Sequence, residues 1–208
     1  MKQNICYVVG AGENYGINFI PQPGDYVIAA DGGLNYLVKA KIKADMVIGD
    51  FDSLVKQPKH ENVIVLNVEK DETDTFAAIK QGIEKGYTVF HLYGCTGGRI
   101  DHTIANIQIL AYLAEHEMQG IMFGKNEIIT AITNAMFSLP PYEKGYVSIF
   151  SYTEKAEGVS LKGLKYPLDN ATITNTFPIG VSNEFLSTKS TIEVKKGTLI
   201  ITYSKKQL

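Results

Sequence analysis

Short apolar runs recur through the first 124 residues at 5–9, 26–30, 46–48, 63–66, 88–93 and 120–123. Each has the length and composition of a strand buried on both faces. Between them lie stretches whose apolar residues return every third or fourth position, the period of a helix. One covers 33–40. A second runs 73–85, with Phe76, Ala77, Ala78, Ile79 and Ile83 apolar and Gly86 placed as a stop. A third runs 102–116, where Ile104, Ile107, Gln108, Ala111 and Ala114 recur beside Leu110 and Leu113. Strands alternating with helices predict right-handed crossovers and a mostly parallel sheet with helices on both faces.

After about residue 125 the period changes to two. Segments 146–152, 159–161, 171–174, 190–194 and 199–203 alternate apolar with polar between Gly, Pro, Asn and Lys-Gly turns. Such a pattern predicts a small antiparallel β-domain. A segment that short buries a modest core, so it is expected to lean on the first domain or on a second subunit.

The polar signals gather at the strand ends, where parallel sheets bind their ligands. Segment 26–30 runs into Asp31-Gly32-Gly33, and 46–48 into Gly49-Asp50-Phe51-Asp52-Ser53. Segment 63–66 leads to Lys70-Asp71-Glu72-Thr73-Asp74, and 88–93 leads to the loop 94–102, which holds Gly97, Gly98, Arg99, Asp101 and His102. Four loops deliver acids, glycines and an arginine to one rim.

Composition narrows the class. The chain has 208 residues, 45% hydrophobic and 20% charged, with a formal net charge of −2. That balance gives no bulk reason for nucleic-acid or membrane association. No apolar run approaches the roughly 20 residues of a membrane helix. The apolar segment near the N-terminus is too short for a signal peptide. Cys6 and Cys95 lack metal-ligand spacing and suit reduced thiols, so a cytoplasmic location is expected. Eight of the nine aspartates lie at or before Asp101, and Arg99 is the only arginine among twenty basic residues.

Asp50 and Asp52 stand two apart just past a strand, so in extended backbone both point the same way. Two converging carboxylates suit a hard divalent cation such as Mg²⁺; the same residues also make an ordinary solvated turn. The loop 94–102 joins flexible glycine backbone to a guanidinium and a helix start, which suits phosphate oxygens. Asp101 there could equally be a helix cap, and Thr73 could cap the helix beside Asp74. Gly10-Ala11-Gly12 with Gly16 lacks the spacing of a dinucleotide fingerprint, and no P-loop, zinc cluster or nucleophile elbow is present. The residues by themselves reach as far as divalent-metal chemistry on a phosphate compound.

Taken in order, Asp31-Gly32-Gly33, Gly49-Asp50-Phe51-Asp52-Ser53, Asp71-x-Thr73-Asp74 and Gly97-Gly98-Arg99-x-Asp101-His102 resemble the motifs of the thiamine pyrophosphokinase family. Gly163-Leu164-x-Tyr166-Pro167-Leu168 and Val181-Ser182-Asn183-Glu184 are similar to that family's β-domain motifs. The resemblance implies an α/β fold class: an N-terminal, mostly parallel Rossmann-like α/β domain over 1–124 that binds ATP and Mg²⁺, and a C-terminal antiparallel β-sandwich over 125–208 for thiamine binding and dimerisation. It implies a homodimer that moves the pyrophosphoryl group of ATP to the thiamine hydroxyl, giving thiamine diphosphate and AMP. By matching position, Asp50, Asp52, Asp71 and Asp74 would serve the metal, and Asp74 would also orient or deprotonate the thiamine hydroxyl. Arg99 would hold ATP phosphates, with Gly97, Gly98, Asp101, His102 and Asp31 around the nucleotide. Ser182 and Asn183 would hydrogen-bond the aminopyrimidine. Some family members place a Trp against the thiamine ring; this chain has no Trp, which leaves Phe185 or Tyr203 as candidates. Two rivals share part of the pattern. A pterin pyrophosphokinase would use the same metal and ATP chemistry but lacks a reason for the Ser182-Asn183 segment. A nucleotide sensor would need fewer acids on the rim.

Overall fold

The computed structural model describes residues 3–51, 60–67, 69 and 71–205. The chain divides into two compact units, one of residues 1–109 with 122–125, the other of 110–121 with 126–208. The sequence pattern cuts the chain at residue 124; by packing, the last part of the third helix and the strand start that follows group with the second unit.

The first unit holds β1 (Cys6–Val9), β2 (Tyr26–Ala30), α1 (Gly33–Ala40), β3 (Met46–Gly49), β4 (Val63–Val65), α2 (Asp74–Glu84), β5 (Val89–Tyr93) and the start of α3 (Ile100–Glu115). Its strands lie in the order β5-β1-β2-β3-β4, and the pairs β1–β2, β1–β5, β2–β3 and β3–β4 are all parallel. Every residue of β1 and β3 is buried, as expected where helices cover both faces. The chain steps outward from β1 to β4 and then returns to the other side of β1 with β5. The loops after β1 and β5 therefore part at a topological switch point, where such sheets open a crevice.

Local sequence sets this frame. A Cβ at Gly33, the first residue of α1, would collide with the Val9 carbonyl oxygen, so the small residue lets the helix sit directly on β1. Phe51 is buried with Tyr7, Val9, Val27 and Val47 in one apolar cluster. Its burial roots the end of the Gly49-Asp50-Phe51 turn in the core, at a stabilisation of about 1.5–3 kcal/mol for such a side chain. The helix period within α3 is refined by the structure. Leu110, Ala111 and Leu113 are fully buried, whereas Ile104 is 53% exposed.

β6 (Gln119–Phe123) lies at the division, and the second unit continues with β7 (Glu127–Thr133), β8 (Met136–Leu139), β9 (Tyr146–Ser151), β10 (Lys155–Lys162), β11 (Leu168–Thr174), β12 (Asn183–Glu184), β13 (Ser190–Glu193) and β14 (Thr198–Ser204). Strands β12-β9-β14-β7 pair antiparallel, as do β11-β10-β13-β8. Val147, Ile149, Leu199 and Ile201 from the first sheet meet Val159, Leu161, Ile173 and Ile192 from the second in one core. This is the β-sandwich expected. The alternation in β9 and β14 made those strands legible. β7, β8 and β12 were not expected. β7 is an apolar run without strict alternation, and β12 is two residues long.

No helix among the described residues is long and apolar enough to cross a membrane.

Candidate active site

A cavity of about 460 Å³ opens in the first unit beyond the C-terminal ends of its strands. Five chain segments line it: Ala11, Gly12 and Glu13 after β1; Ala30 and Asp31 at the end of β2; Tyr36 of α1; Thr73, Asp74 and Thr75 at the start of α2; and Gly94, Cys95, Gly97, Gly98 and Arg99 after β5 with His102 and Asn106 of α3.

The loops after β1 and β5 are laced together. Gly10 N–H donates to the Tyr93 carbonyl at 2.8 Å, Gly12 N–H to that of Gly94 at 2.7 Å, and Glu13 N–H to that of Thr96 at 2.9 Å. A Cβ on Gly12 would stand 2.7 Å from the Gly94 oxygen and 2.8 Å from that of Thr96. The glycines of this segment are thus explained by close backbone approach. Tyr36 Oη donates to the Gly12 carbonyl at 2.8 Å, fixing the same loop from α1. From the other side, the Asn106 amide of α3 donates to the Cys95 carbonyl at 2.8 Å.

Gly97 and Gly98 have φ of 79° and 65°, a conformation glycine adopts readily. Arg99 follows. Its guanidinium donates through Nε and Nη2 to the two carboxylate oxygens of Asp101, at 3.2 and 2.6 Å. That hydrogen bonding holds the Asp101 carboxyl below its ordinary range and raises Arg99 further. Both side chains are exposed, so the pair is cheap to open.

At the start of α2, Thr73 Oγ1 accepts from Phe76 N–H at 3.2 Å, so Thr73 is the N-cap. Asp74 follows the cap as the first residue of α2 and lines the cavity. Asp31, at φ 48°, donates its N–H to the Ile48 carbonyl at 2.8 Å, which ties the end of β2 to β3. A Cβ on Gly49 would lie 3.1 Å from Asp31 Cα. The small residue at 49 therefore brings the Asp31 backbone close to the turn that carries Asp50.

Of the residues singled out from sequence, Asp31, Asp74, Gly97, Gly98, Arg99 and His102 share the cavity. Asp50 is half-buried at the end of β3 and Asp71 is exposed; neither lines it, nor does Asp101. Asp52 lies outside the described residues. Among the described residues no three His, Cys, Asp or Glu side chains group closely enough to hold a metal ion. Asp31, Thr73, Asp74 and Thr75 nonetheless bring carboxylate and hydroxyl oxygens to the cavity, the chemistry a hard cation prefers.

Glu13, Tyr36, Thr75, Cys95 and Asn106 also line the cavity and had not been singled out. Asn106 carried a legible signal, a polar residue on the buried side of an apolar helix. Cys95 is no nucleophile: burial pushes its thiol up to about 12.

In the second unit, Ser182 is exposed at φ 59°, with its N–H donating to Ser148 Oγ at 3.0 Å. Asn183 is buried. Its Nδ2 donates to the Tyr166 carbonyl at 2.7 Å, and its Oδ1 accepts from Tyr166 N–H at 3.0 Å and Glu184 N–H at 2.9 Å. Phe185 and Tyr203, the candidates for ring stacking, are 5% and 7% exposed in the sandwich core. Phe185 stacks on Tyr142 at 4.5 Å. Both rings are packed into that core, so neither offers a face to a ligand.

Two family profiles match in order: "Thiamin pyrophosphokinase, catalytic domain" over residues 21–122 and "Thiamin pyrophosphokinase, vitamin B1 binding domain" over 136–199. A thiamine pyrophosphokinase of Bacillus subtilis (strain 168) is 30% identical over 197 residues, 88% of this chain and 92% of that protein. A crystal structure of the Bacillus subtilis enzyme superposes with a TM-score of 0.84 at 29% identity, covering 99% of this chain and 100% of the other. That of the Geobacillus thermodenitrificans enzyme superposes with a TM-score of 0.82 at 26% identity, covering 97% of each. Matched along nearly its whole length, through both domains and their fold, this chain belongs to the thiamin pyrophosphokinase family.

Proposed function

We propose that this protein is an ATP:thiamine diphosphotransferase. It transfers the pyrophosphoryl group of ATP to the hydroxyl of thiamine and releases thiamine diphosphate and AMP. The observation that carries the reading is the cavity at the switch point. It combines Asp31, Asp74, the Gly97-Gly98 backbone and Arg99 within the segment that matches the family's catalytic domain.

The division of labour follows from charge. Gly97, Gly98 and Arg99 supply donors for phosphate oxygens, and Arg99 can turn its fork from Asp101 to a phosphate. Carboxylates alone would repel a triphosphate, so Asp31, Asp74, Asp50 and Asp52 are assigned to Mg²⁺, with Asp71 as a more distant candidate. The ion, when bound, neutralises charge on the phosphates and leaving group. Asp74, at the first residue of α2, is also the residue assigned to orient or deprotonate the thiamine hydroxyl. Binding both substrates in line then supplies most of the acceleration through positioning.

For thiamine we assign Ser182 as the direct contact, since it is exposed. Asn183 acts through the Tyr166 backbone it clamps. Tyr146, Phe150, Phe177, Ile179 and Val181 leave apolar surface exposed on the second unit, and Gly180 accepts from Ile149 N–H at 2.9 Å, which lays that segment along β9. An apolar strip of this kind supports a homodimer. A cytoplasmic location accords with the two free, buried cysteines.

The test is incubation with thiamine, ATP and Mg²⁺, reading AMP and thiamine diphosphate together. Equal amounts of both are expected. ADP in place of AMP, or turnover only with a hydroxymethyl pterin as acceptor, would refute the assignment.

A further inference from the structure

The groups best suited to phosphate in the cavity are engaged by the chain's own carboxylates. Gly98 N–H donates to Glu13 Oε1 at 3.3 Å, and Tyr15 Oη donates to Glu13 Oε2 at 2.8 Å. A Cβ on Gly97 would lie 2.6 Å from Tyr15 Oη and 2.8 Å from Glu13 Cβ, so this pair rests directly on the glycine loop. The Gly98 N–H is the kind of backbone donor that a phosphate oxygen takes up at a helix start, and here the Glu13 carboxylate meets it. The placement is not left to a wandering surface side chain. Glu13 N–H is tied to the Thr96 carbonyl at 2.9 Å, which anchors residue 13 against the very loop its carboxylate touches. The Asp101 carboxylate engages the neighbouring Arg99 in the same way, and both carboxylates lie at exposed positions.

We propose that Glu13 is an internal stand-in for a phosphate group, one that nucleotide must displace from the Gly97-Gly98 loop before the site is competent. Glu13 thereby sets nucleotide affinity. A carboxylate offers two oxygens and one negative charge, enough to hold the loop in shape but less than a polyphosphate brings. Apparent affinity is then the intrinsic affinity multiplied by the fraction of molecules in which Glu13 has swung away. The inference deepens the nucleotide reading of the cavity and rests on it.

The test is calorimetric titration of Mg·ATP, and separately of inorganic triphosphate, into wild type, Glu13→Ala, Glu13→Gln and Arg99→Lys. Both Glu13 variants are expected to bind each ligand about three- to tenfold more tightly, the scale of one exposed hydrogen-bonded contact no longer needing to be broken. The KM for ATP should fall with that for thiamine unchanged, a split that a merely structural role would not produce. Tyr15→Phe, which loosens Glu13 without removing it, should shift affinity the same way by less. Unchanged or weaker binding in both Glu13 variants overturns the stand-in role while Arg99→Lys still weakens ATP. If Arg99→Lys leaves ATP affinity untouched, the nucleotide reading itself fails, and the inference with it.

Discussion

Asn106 reaches from the second turn of α3 to the carbonyl of Cys95 at 2.8 Å, and both residues are buried. The helix that begins just after the Gly97-Gly98 loop thus also holds the base of that loop. Asn106→Leu keeps the volume but leaves the Cys95 carbonyl buried without this donor, at a cost of about 1–3 kcal/mol. A lower Tm and a raised KM for ATP are expected. A variant that melts with wild type would show that the loop holds its shape without α3.

Asp31 and Asp74 line the cavity, whereas Asp71 is exposed outside it. Asp31→Asn and Asp74→Asn should each lower kcat by about a hundredfold or more, the scale for losing a group that stabilises transition-state charge. The Thr73 cap is intact in the Asp74 variant, so its far-UV circular dichroism and Tm should match wild type. Asp71→Asn should be mild by comparison. The same rate assay on Asp52→Asn tests the carboxylate that lies beyond the described residues. Full activity there would remove Asp52 from the metal set.

His91 in β5 packs against the rings of Tyr7 and Phe123 at 5.6 and 5.4 Å. Burial lowers its pKa, partly opposed by the charge of Asp25. Because the folded value is depressed, the unfolded chain takes up this proton first as pH falls. Stability from this site is therefore complete above the ordinary His value of about 6.5 and declines below it. Wild-type Tm should drop between pH 7 and pH 5.5, and His91→Gln should flatten that part of the curve. Parallel profiles for the two proteins would exclude His91 as the cause.

Asn183 and Ser182 are neighbours with different tasks. Asn183→Ala strips both backbone partners from Tyr166 and should lower Tm, with a higher KM for thiamine as a secondary effect. Ser182→Ala should raise the thiamine KM at unchanged Tm and leave ATP alone. Equal effects of Ser182→Ala on both substrates would contradict its assignment to thiamine.

How far the sequence carried the reading can be followed at particular positions. The buried strands 26–30 and 88–93 lie within a residue of β2 and β5, because runs apolar on both faces have one comfortable place, the middle of a covered sheet. Thr73 was legible as a cap from residue type and position alone. β12 was not, since a two-residue strand has no period to read. Phe185 misled for a related reason. Aromaticity suggests ligand contact, but whether the ring faces solvent or the sandwich core is settled by packing.

By itself the sequence determined the parallel α/β unit followed by the antiparallel sandwich, the rim of strand-end loops, and the family. Each of these is written in local periodicity and in the order of short motifs. Only the tertiary structure decided that Glu13 lies on the Gly98 amide, that Asn106 holds the Cys95 carbonyl, and that Asp31 rather than Asp71 shares the cavity with Asp74. The first of these joins residues 85 positions apart. It depends on β5 returning beside β1, a pairing of strand ends that no local pattern encodes.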